Sequence, residues 1–277
     1  MPELPEVEVC RRGIAPELEG REIVGVIARV PRLRQPIPPG LDECLRGCRI
    51  QAVRRRGKYL LLDCWRPEVS GTLIIHLGMS GHLRFVGSGA EVAKHDHFDL
   101  CLSGQSLRLS DPRRFGVVAW QPGPPEQCER HPLLAIQGIE PLAPEFTVDW
   151  LHAAISRRAA PIKPVLMDSH LVVGIGNIYA AESLFQAGIS PLTPAKALPP
   201  ARLARLVQSI RATLETAIAA GGSSIRDYVH SDGSSGWFQI QVDVYGRDGQ
   251  ACRRCGGVVR LIRQAGRSTF YCPGCQD

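Results

Sequence analysis

The first half of the chain alternates short apolar runs with breaks at Gly, Pro and Asp. Apolar runs of this length are typical of β-strands, and their regular spacing indicates a sandwich or a barrel. Between about Ile23 and Gln121 the clearest predicted strands are residues 59–64, 72–77, 98–102 and 116–120. A proline-rich stretch at 121–125 and the polar segment that follows it to Pro144 predict a connector.

Beyond the connector the spacing of apolar residues becomes helical. The clearest predicted helices are residues 177–187 and 200–220, and Gly221 supplies a natural stop for the second. Stretches rich in Gly and Ser follow at 221–224 and 231–236. Their composition is typical of a mobile loop that covers a site, and equally of a plain linker.

A further helix is predicted at the N-terminus, where acidic side chains would fill the first turn and basic ones the last. This order complements the helix dipole, and Pro5 is tolerated near the start. The helix is expected to stop at Gly13. The charged residues concerned are Glu3, Glu6, Glu8, Arg11 and Arg12.

Length, composition and charge narrow the class of protein. At 277 residues the chain is longer than a usual single domain, so two or three domains are expected. The formal net charge of +6 permits a nucleic-acid partner without requiring one. No apolar run is long enough to span a bilayer, and the N-terminus lacks the pattern of a signal peptide. A cytoplasmic protein without a membrane partner is therefore expected.

The chain has ten cysteines, of which six are scattered and are expected to be reduced thiols, mostly in the core. The other four form two C-x-x-C pairs near the end: Cys252, Cys255, Cys272 and Cys275. This spacing predicts one structural zinc ion, with residues 258–262 and 268–271 as the strands of a ribbon. Two disulfides or a redox pair are the alternative interpretation. Four sulfur ligands would leave no open position on the metal for a substrate.

The N-terminus also carries candidate chemistry. Removal of Met1 would expose Pro2 as a free secondary amine, with an α-amino pKa of about 8. Attack of that amine on a sugar C1′ would displace a base and leave an iminium ion, whose charge makes the C2′ proton acidic and allows strand cleavage. Glu3 could donate and accept protons beside it. The simpler alternative is a well-capped helix with no catalytic role.

Seven sequence strings, in order along the chain, resemble the formamidopyrimidine-DNA glycosylase family. The resemblance runs essentially from end to end. The strings are residues 2–8, 57–61, 76–81, 94–97, 111–116, 173–179 and 266–272.

The resemblance implies an α+β multidomain fold: an N-terminal β-sandwich with a flanking helix, a helix–two-turns–helix domain and a C-terminal zinc ribbon. The implied domains are residues 1–135, 136–239 and 240–277. The implied activity is that of a bifunctional glycosylase and AP lyase acting in base-excision repair. Its partner would be double-stranded DNA containing oxidised purines or abasic sites. A monomer in the bacterial cytoplasm, working at the nucleoid, is expected.

By the same resemblance, Pro2 is the Schiff-base nucleophile and Glu3 the general acid and base. Lys58 would serve β-elimination and Arg267 δ-elimination. Lys58 follows the three arginines of residues 54–56, and such a run more often marks a solvated basic face, which could equally face DNA phosphates.

The resemblance also implies DNA contacts by His95, Arg113 and Asn177. Met79, Arg113 and Phe115 would form the wedge that fills the gap left by an everted nucleotide. On residue type alone, a methionine in such a place is usually core or incidental. The loop at about 222–236 would close over the extruded base.

One position departs from the family pattern. Ala159 stands where the family usually has a basic DNA-contact residue, and Arg157 or Arg158 could replace it.

The stretch 174–177 resembles half of a dinucleotide fingerprint but lacks the third glycine, so a nucleotide-cofactor site is rejected. It could bind phosphate at a helix start or be a simple turn.

Two other functions stay open from the sequence. Endonuclease VIII shares Pro2, Glu3 and zinc but prefers oxidised pyrimidines; the string at 4–7 and the wedge residues favour the purine enzyme. A non-catalytic zinc-ribbon DNA-binding protein, with Pro2 as mere helix capping, is the alternative from another class.

Overall fold

The computed structural model describes residues 1–221 and 242–277. The described residues form two compact units: 1–135 with Gly221, termed here the N-terminal unit, and 136–220 with 242–277, the C-terminal unit. The predicted loop at 222–236 lies outside the described residues. Among those that are described, no helix is long and apolar enough to cross a lipid bilayer.

The N-terminal unit is a β-sandwich with one long flanking helix, as predicted. Helix α1 (Leu4–Leu18) is followed by β1 (Ile23–Ala28), α2 (Leu41–Leu45) and seven further strands. Those strands are β2 (Arg49–Arg56), β3 (Tyr59–Arg66), β4 (Val69–His76), β5 (His82–Gly87), β6 (Asp96–Leu102), β7 (Gln105–Ser110) and β8 (Val117–Pro122). Two four-stranded antiparallel sheets result, with strand orders β1-β6-β7-β5 and β2-β3-β4-β8.

The main core lies between the two sheets and one face of α1. Ile14 and Leu18 of α1, Phe98 of β6 and Leu62 of β3 are all buried in this one cluster. Burying such side chains contributes about 1.5–3 kcal/mol each, which is the main force that holds the layers together.

The prediction that helix α1 stops at Gly13 is wrong, because the helix continues to Leu18. Glycine inside a helix costs about 1 kcal/mol relative to alanine. Burial of Ile14 and Leu18 beyond it outweighs that cost. Pro16 lies on the exposed side, where water can bind the backbone carbonyl that a proline leaves without a partner.

The predicted connector contains a 3₁₀ helix (Pro125–Arg130) and a short helix α3 (Pro132–Ala135). Cys128 and Leu134 from these segments pack on the outer face of the second sheet, against Leu61 and Ile74. Strand β3 is therefore buried on both faces, which explains why its sequence is a continuous apolar run rather than an alternating one.

The C-terminal unit is helical with a two-stranded ribbon at its end. Its helices are α4 (Val148–Ile155), α5 (Ile162–Leu166), α6 (Asn177–Ala187) and α7 (Pro200–Ala219), with a 3₁₀ turn at Ala195–Ala197. Strands β9 (Arg260–Gln264) and β10 (Arg267–Tyr271) pair antiparallel. The two predicted helices and the ribbon are confirmed, whereas the pattern did not single out α4 and α5.

A buried ionic network joins strands of the first sheet. Asp99 accepts hydrogen bonds from Arg29 at 2.5 Å and from two nitrogens of Arg108, each at 2.9 Å. Arg108 and Arg84 both contact Asp96. Burial alone would raise the pKa of Asp99, but the bonds from the two arginines outweigh it and lower the pKa.

The network predicts a large stability loss on Asp99→Asn. Breaking this buried pair removes the Asp99 counter-charge from Arg29 and leaves Arg108 with Asp96 alone, and is expected to cost about 3 kcal/mol of unfolding free energy. Because the folded-state pKa of Asp99 is lowered, this contribution is present at neutral pH and is lost as the pH falls through that pKa. Urea titration at pH 7 measures the loss. Asp42→Asn, in the exposed pair with Arg46, is the matched control and should cost less than about 1 kcal/mol; equal losses would contradict the prediction.

Candidate functional site

The start of α1 is a buried, doubly capped helix terminus. Pro2 is buried, and only 2% of Glu3 and 1% of Glu6 is exposed. The Glu3 N–H donates to Glu6 Oε2 at 2.8 Å, and the Glu6 N–H donates back to the Glu3 side chain, which forms a capping box. The carboxyl group that follows Pro2 is therefore held in a fixed position rather than on a frayed end.

Glu8, one turn further on, is committed to ion pairs. It accepts hydrogen bonds from Arg11 and Arg12 at 2.9 Å and contacts Arg55 of β2 at 3.2 Å. Burial alone would raise the pKa of Glu8, but these arginines outweigh it and lower the pKa to about 2. Glu8 is thus ionised throughout the physiological range and cannot serve as a proton donor.

Lys58 lies in the tight turn between β2 and β3. Gly57 has a φ of 57°, a left-handed conformation that glycine adopts without strain. Arg55 donates to the Gly57 carbonyl at 2.9 Å while it pairs with Glu8, so one guanidinium ties the turn to α1. Lys58, which is half-buried, therefore lies in a turn that Arg55 fixes to α1.

The three arginines before Lys58 do not form the solvated basic face considered from the sequence. Arg54 makes a two-point contact with buried Asp63, at 2.6 and 2.8 Å. Arg55 pairs with Glu8, and Arg56 lies 3.7 Å from Glu129. These ion pairs stabilise the sandwich, and an external anion would have to compete with the carboxylates for the three arginines.

His76, at the end of β4, lies near enough to Lys58 for the lysine charge to lower its pKa. The sequence did not predict this histidine as a site residue. Its pKa is lowered to about 4, chiefly by burial and then by the charges of Lys58 and Arg34. The ring is therefore neutral at pH 7. Its Nδ1 accepts the Gly78 N–H at 2.9 Å, so the ring proton lies on Nε2 and can be donated to an acceptor. The string at 76–81 contained this histidine, but its role depends on the fold.

Two loops of the N-terminal unit present exposed apolar side chains side by side. The Met79 loop (77–81) and the Phe115 loop (111–116) leave 40% of Met79 and 44% of Phe115 exposed. The Arg113 guanidinium lies 4.9 Å from the centre of the Phe115 ring. Met79 is therefore not a core residue. His95 is half-buried, and its carbonyl accepts the Asp111 N–H at 2.9 Å.

In the C-terminal unit, Asn177 is half-buried at the first position of α6. Its side chain contacts Lys163, which is only 1% exposed. The Lys163 ammonium donates to Asn177 Oδ1 at 2.5 Å, to Thr269 Oγ1 at 2.8 Å and to the Ser268 carbonyl at 3.2 Å. Asn177 Nδ2 donates to the same carbonyl at 3.0 Å.

Lys163 thereby joins the start of α6 to the start of β10. Arg267 is exposed at the first position of β10, directly before Ser268 and after a turn in which Ala265 and Gly266 have positive φ. The buried lysine was not predicted. Its partners lie 14 and about 106 residues away, a separation that no local pattern reveals.

The four predicted cysteines converge in the ribbon, and their sulfur atoms all lie within 4.8 Å of one another. Cys252 and Cys275 are 3.9 Å apart, and Cys255 and Cys272 are 3.5 Å apart. A tetrahedral zinc site with Zn–S distances of about 2.3 Å requires sulfur separations of about 3.8 Å. A disulfide requires about 2.05 Å. The cluster therefore fits zinc, and none of the ten cysteines, all of which lie in the described residues, forms a disulfide.

The ribbon does not depend on the metal alone. Cys252, Cys272, Val259 and Phe270 pack against Phe185 of α6 in one apolar cluster. The Gln276 side chain bridges the Cys272 N–H, at 2.8 Å, and the Ile189 carbonyl, at 2.9 Å. The metal site is thus built onto a helix of the same unit.

The predicted site residues divide between the two units. The N-terminal unit contains Pro2, Glu3, Lys58, Met79, His95, Arg113 and Phe115. The C-terminal unit contains Asn177, Arg267 and the four cysteines.

Comparison with known proteins gives matches across the chain. The formamidopyrimidine-DNA glycosylase N-terminal domain matches residues 1–118, the H2TH domain of the same enzyme residues 137–229, and the zinc finger found in FPG and IleRS residues 249–277. A formamidopyrimidine-DNA glycosylase from Dechloromonas aromatica is 70% identical over 276 residues, covering 100% of both chains.

Solved structures agree with these matches. The Lactococcus lactis Fpg bound to DNA with an abasic site has a TM-score of 0.90 and 35% identity, covering 99% of each chain. The wild-type Lactococcus lactis enzyme bound to DNA with N7-benzyl-Fapy-dG has the same score and identity, covering 100% of each chain.

The sandwich, the helical segment and the four-thiolate ribbon define a multidomain enzyme with one structural zinc ion. The chain belongs to the formamidopyrimidine-DNA glycosylase family, and it is a DNA-repair glycosylase.

The cysteine cluster predicts that Cys252→Ser loses the metal. A serine oxygen replaces one thiolate, and three sulfur ligands hold zinc much more weakly than four. Metal analysis of the purified variant should give well under one zinc per chain, and lesion-duplex binding should weaken. Cys101→Ser, a half-buried cysteine outside the cluster, is the control and should keep its zinc. Stoichiometric zinc in Cys252→Ser would count against this ligand set.

Proposed function

We propose that the chain is a bifunctional DNA glycosylase and AP lyase that removes oxidised purines, such as 8-oxoguanine and formamidopyrimidines, from double-stranded DNA. The observation that carries the proposal is the buried, capped start of α1, which sets the Glu3 carboxyl directly after Pro2. Family membership supports the same function.

In the proposed mechanism the Pro2 nitrogen, freed by removal of Met1, attacks C1′ of the damaged nucleotide. The C1′–N bond to the base breaks, and the base leaves with a proton. The sugar ring then opens: the C1′–O4′ bond breaks, O4′ takes a proton, and the secondary amine is left as an iminium ion that keeps its positive charge. That charge withdraws electrons, so the C2′ proton is lost and the 3′ phosphate departs; loss of the 5′ phosphate completes δ-elimination.

Glu3 is proposed as the group that moves protons at this centre. Glu8 is excluded because its ion pairs keep it ionised, with a pKa of about 2. Glu3 and Glu6 each accept the backbone N–H of the other, so this bond does not distinguish them, and position along the chain does. Glu3 is the remaining carboxyl that directly adjoins Pro2, and its buried site strengthens electrostatic interactions with a nearby cation.

Lys58 is proposed to assist β-elimination and Arg267 δ-elimination. The support for Lys58 is its turn, which Arg55 ties to the helix that begins beside Pro2. The support for Arg267 is its exposed position directly before Ser268, whose carbonyl is fixed by Lys163 and Asn177. Neither side chain depends on a frayed segment for its placement.

DNA contacts are proposed for His95, Arg113 and Asn177. A glycosylase must extrude the nucleotide from the duplex, which costs a few kcal/mol that phosphate contacts and a wedge must offset. Met79, Arg113 and Phe115 are proposed as that wedge. Their exposure at the tips of two adjacent loops supports this role, because buried side chains could not enter a base stack.

Arg157 is proposed to replace the basic contact that is missing at Ala159. Of the two candidates, Arg158 is already paired with Asp168 at 2.9 Å. Arg157 is exposed on the segment that follows α4. An exposed arginine can turn toward phosphate without first breaking an ion pair.

The structures of relatives described above contain DNA with an abasic site and with a formamidopyrimidine lesion. The same class of DNA is proposed as the partner here. Domains at residues 1–135, 136–239 and 240–277, a monomeric state and a cytoplasmic location at the nucleoid are parts of the same proposal.

The nucleophile assignment predicts that Pro2→Gly still binds a lesion duplex but loses excision by about a hundredfold or more, equivalent to about 2.7 kcal/mol of barrier. A primary amine without the pyrrolidine ring is a weaker and less fixed nucleophile at C1′, which slows excision, and its imine can lose its proton, which slows the later elimination. Single-turnover excision and borohydride trapping of the covalent adduct are the measurements. Intact mass must first show that Met1 is absent.

Pro5→Gly is the matched control for that variant. It removes a proline from the same helical turn but leaves the terminal amine in place. It should form the trapped adduct as the parent protein does. Full excision by Pro2→Gly, or no trapped species with the parent protein, would refute the mechanism; the second result would favour a protein that only binds DNA.

The substrate assignment predicts faster excision from 8-oxoguanine:cytosine duplexes than from thymine-glycol duplexes of the same sequence. Comparison of kcat/KM for the two duplexes tests it. The reverse preference would indicate the specificity of endonuclease VIII.

A further inference from the structure

The two loops that carry the proposed wedge are joined by one buried carboxylate. Asp111 is fully buried. Its Oδ1 accepts the Ser80 hydroxyl at 2.9 Å, and its Oδ2 accepts the Gly116 N–H at 2.7 Å. Ser80 in turn accepts the Arg113 N–H at 3.3 Å. Ser80 thus connects the Met79 loop to Asp111 and Arg113 of the Phe115 loop, while the bond from Gly116 to Asp111 closes the Phe115 loop on itself.

Close backbone packing completes the junction. A Cβ atom on Gly78 would lie 2.4 Å from the Phe115 carbonyl carbon, so only glycine lets the two loops approach this closely. A Cβ atom on Gly116 would lie 3.0 Å from Asp111 Oδ2. Since both glycines border the exposed residues, the tips have little freedom to move apart.

The junction is also fixed to the sheet behind it. The Asp111 N–H donates to the His95 carbonyl at 2.9 Å, and His97 Nε2 donates to the Asp111 carbonyl at 3.1 Å. All of the hydrogen-bonding groups of Asp111 are therefore engaged, as a buried carboxylate requires. The side chain of Arg114 extends from a left-handed backbone with a φ of 53°, a conformation that the surrounding bonds must hold.

We propose that Ser80 and Asp111 are positioning residues that lock the Met79 and Phe115 loops into one preformed wedge. The inference rests on the wedge role proposed above and deepens it. A wedge that is ordered before DNA arrives loses less conformational entropy on insertion. The pair acts on nucleotide eversion and touches neither the base nor the sugar, so the steps after eversion do not depend on it.

Ser80→Ala is the main test because Ser80 is only half-buried and its loss leaves the Asp111 contact to Gly116 intact. Excision from an 8-oxoguanine:cytosine duplex should fall by about tenfold, the worth of one hydrogen bond to a charged group. Cleavage of a single-stranded abasic oligonucleotide, which has no stacked partner to separate, should stay within about twofold of the parent. Ser80→Thr keeps the hydroxyl and should restore duplex excision.

A double-mutant cycle with Met79→Ala gives the second readout. If the Ser80–Asp111 pair acts through the wedge, Ser80→Ala should cause little further loss of excision in a protein that already carries Met79→Ala. 2-Aminopurine beside the lesion should report slower unstacking in Ser80→Ala, and the melting temperature shows whether the variant is folded.

Parent-like duplex excision by Ser80→Ala would overturn the inference. So would equal losses on duplex and single-stranded DNA, or full additivity with Met79→Ala. These results are distinct from failure of the proposed function, in which the parent protein itself would form no borohydride-trapped adduct.

Discussion

The start of the chain depends on one constraint: two carboxyl groups, on Glu3 and Glu6, are almost completely buried at the first turn of α1. A buried carboxyl destabilises a fold unless hydrogen bonds satisfy it, and here each of the two accepts the backbone N–H of the other residue. Chain ends usually fray, but this end is held because Ile14 and Leu18 anchor the same helix in the sandwich core. The chemistry proposed for the Pro2 nitrogen depends on a terminus held in this way.

Buried charged groups with several hydrogen-bond partners recur in both units. Asp111 joins two loops, Lys163 joins a helix start to a strand start, and Glu182 of α6 accepts three successive backbone N–H groups, from Asp243 to Tyr245. Burial raises the pKa of Glu182, against the effect of those bonds. In each case a charged side chain leaves water and is compensated by several partners. The result is a set of exposed residues carried on rigid supports.

The sequence predicts the elements whose signals are local. The C-x-x-C pairs indicated the zinc site, and the change from short runs to helical spacing separated the sandwich from the helices. The sequence did not predict three other features, because each depends on residues that are distant along the chain. Burial of Ile14 and Leu18 carries α1 past Gly13. Asp63, Glu8 and Glu129 bind the arginines that a basic run had suggested were solvated. Lys163 finds Thr269 about 106 positions away.

Those internal ion pairs determine which residues account for the net positive charge. An arginine bound to an aspartate contributes nothing to the total, so the excess of +6 is carried by cations outside such pairs. Arg113, Arg157 and Arg267 are exposed and belong to that remainder. Interactions of exposed cations with an anionic partner are screened by salt, whereas the buried pairs are screened far less. Salt should therefore weaken association with DNA while it leaves the fold nearly unchanged, because one set of arginines faces the solvent and the other supports the sheets.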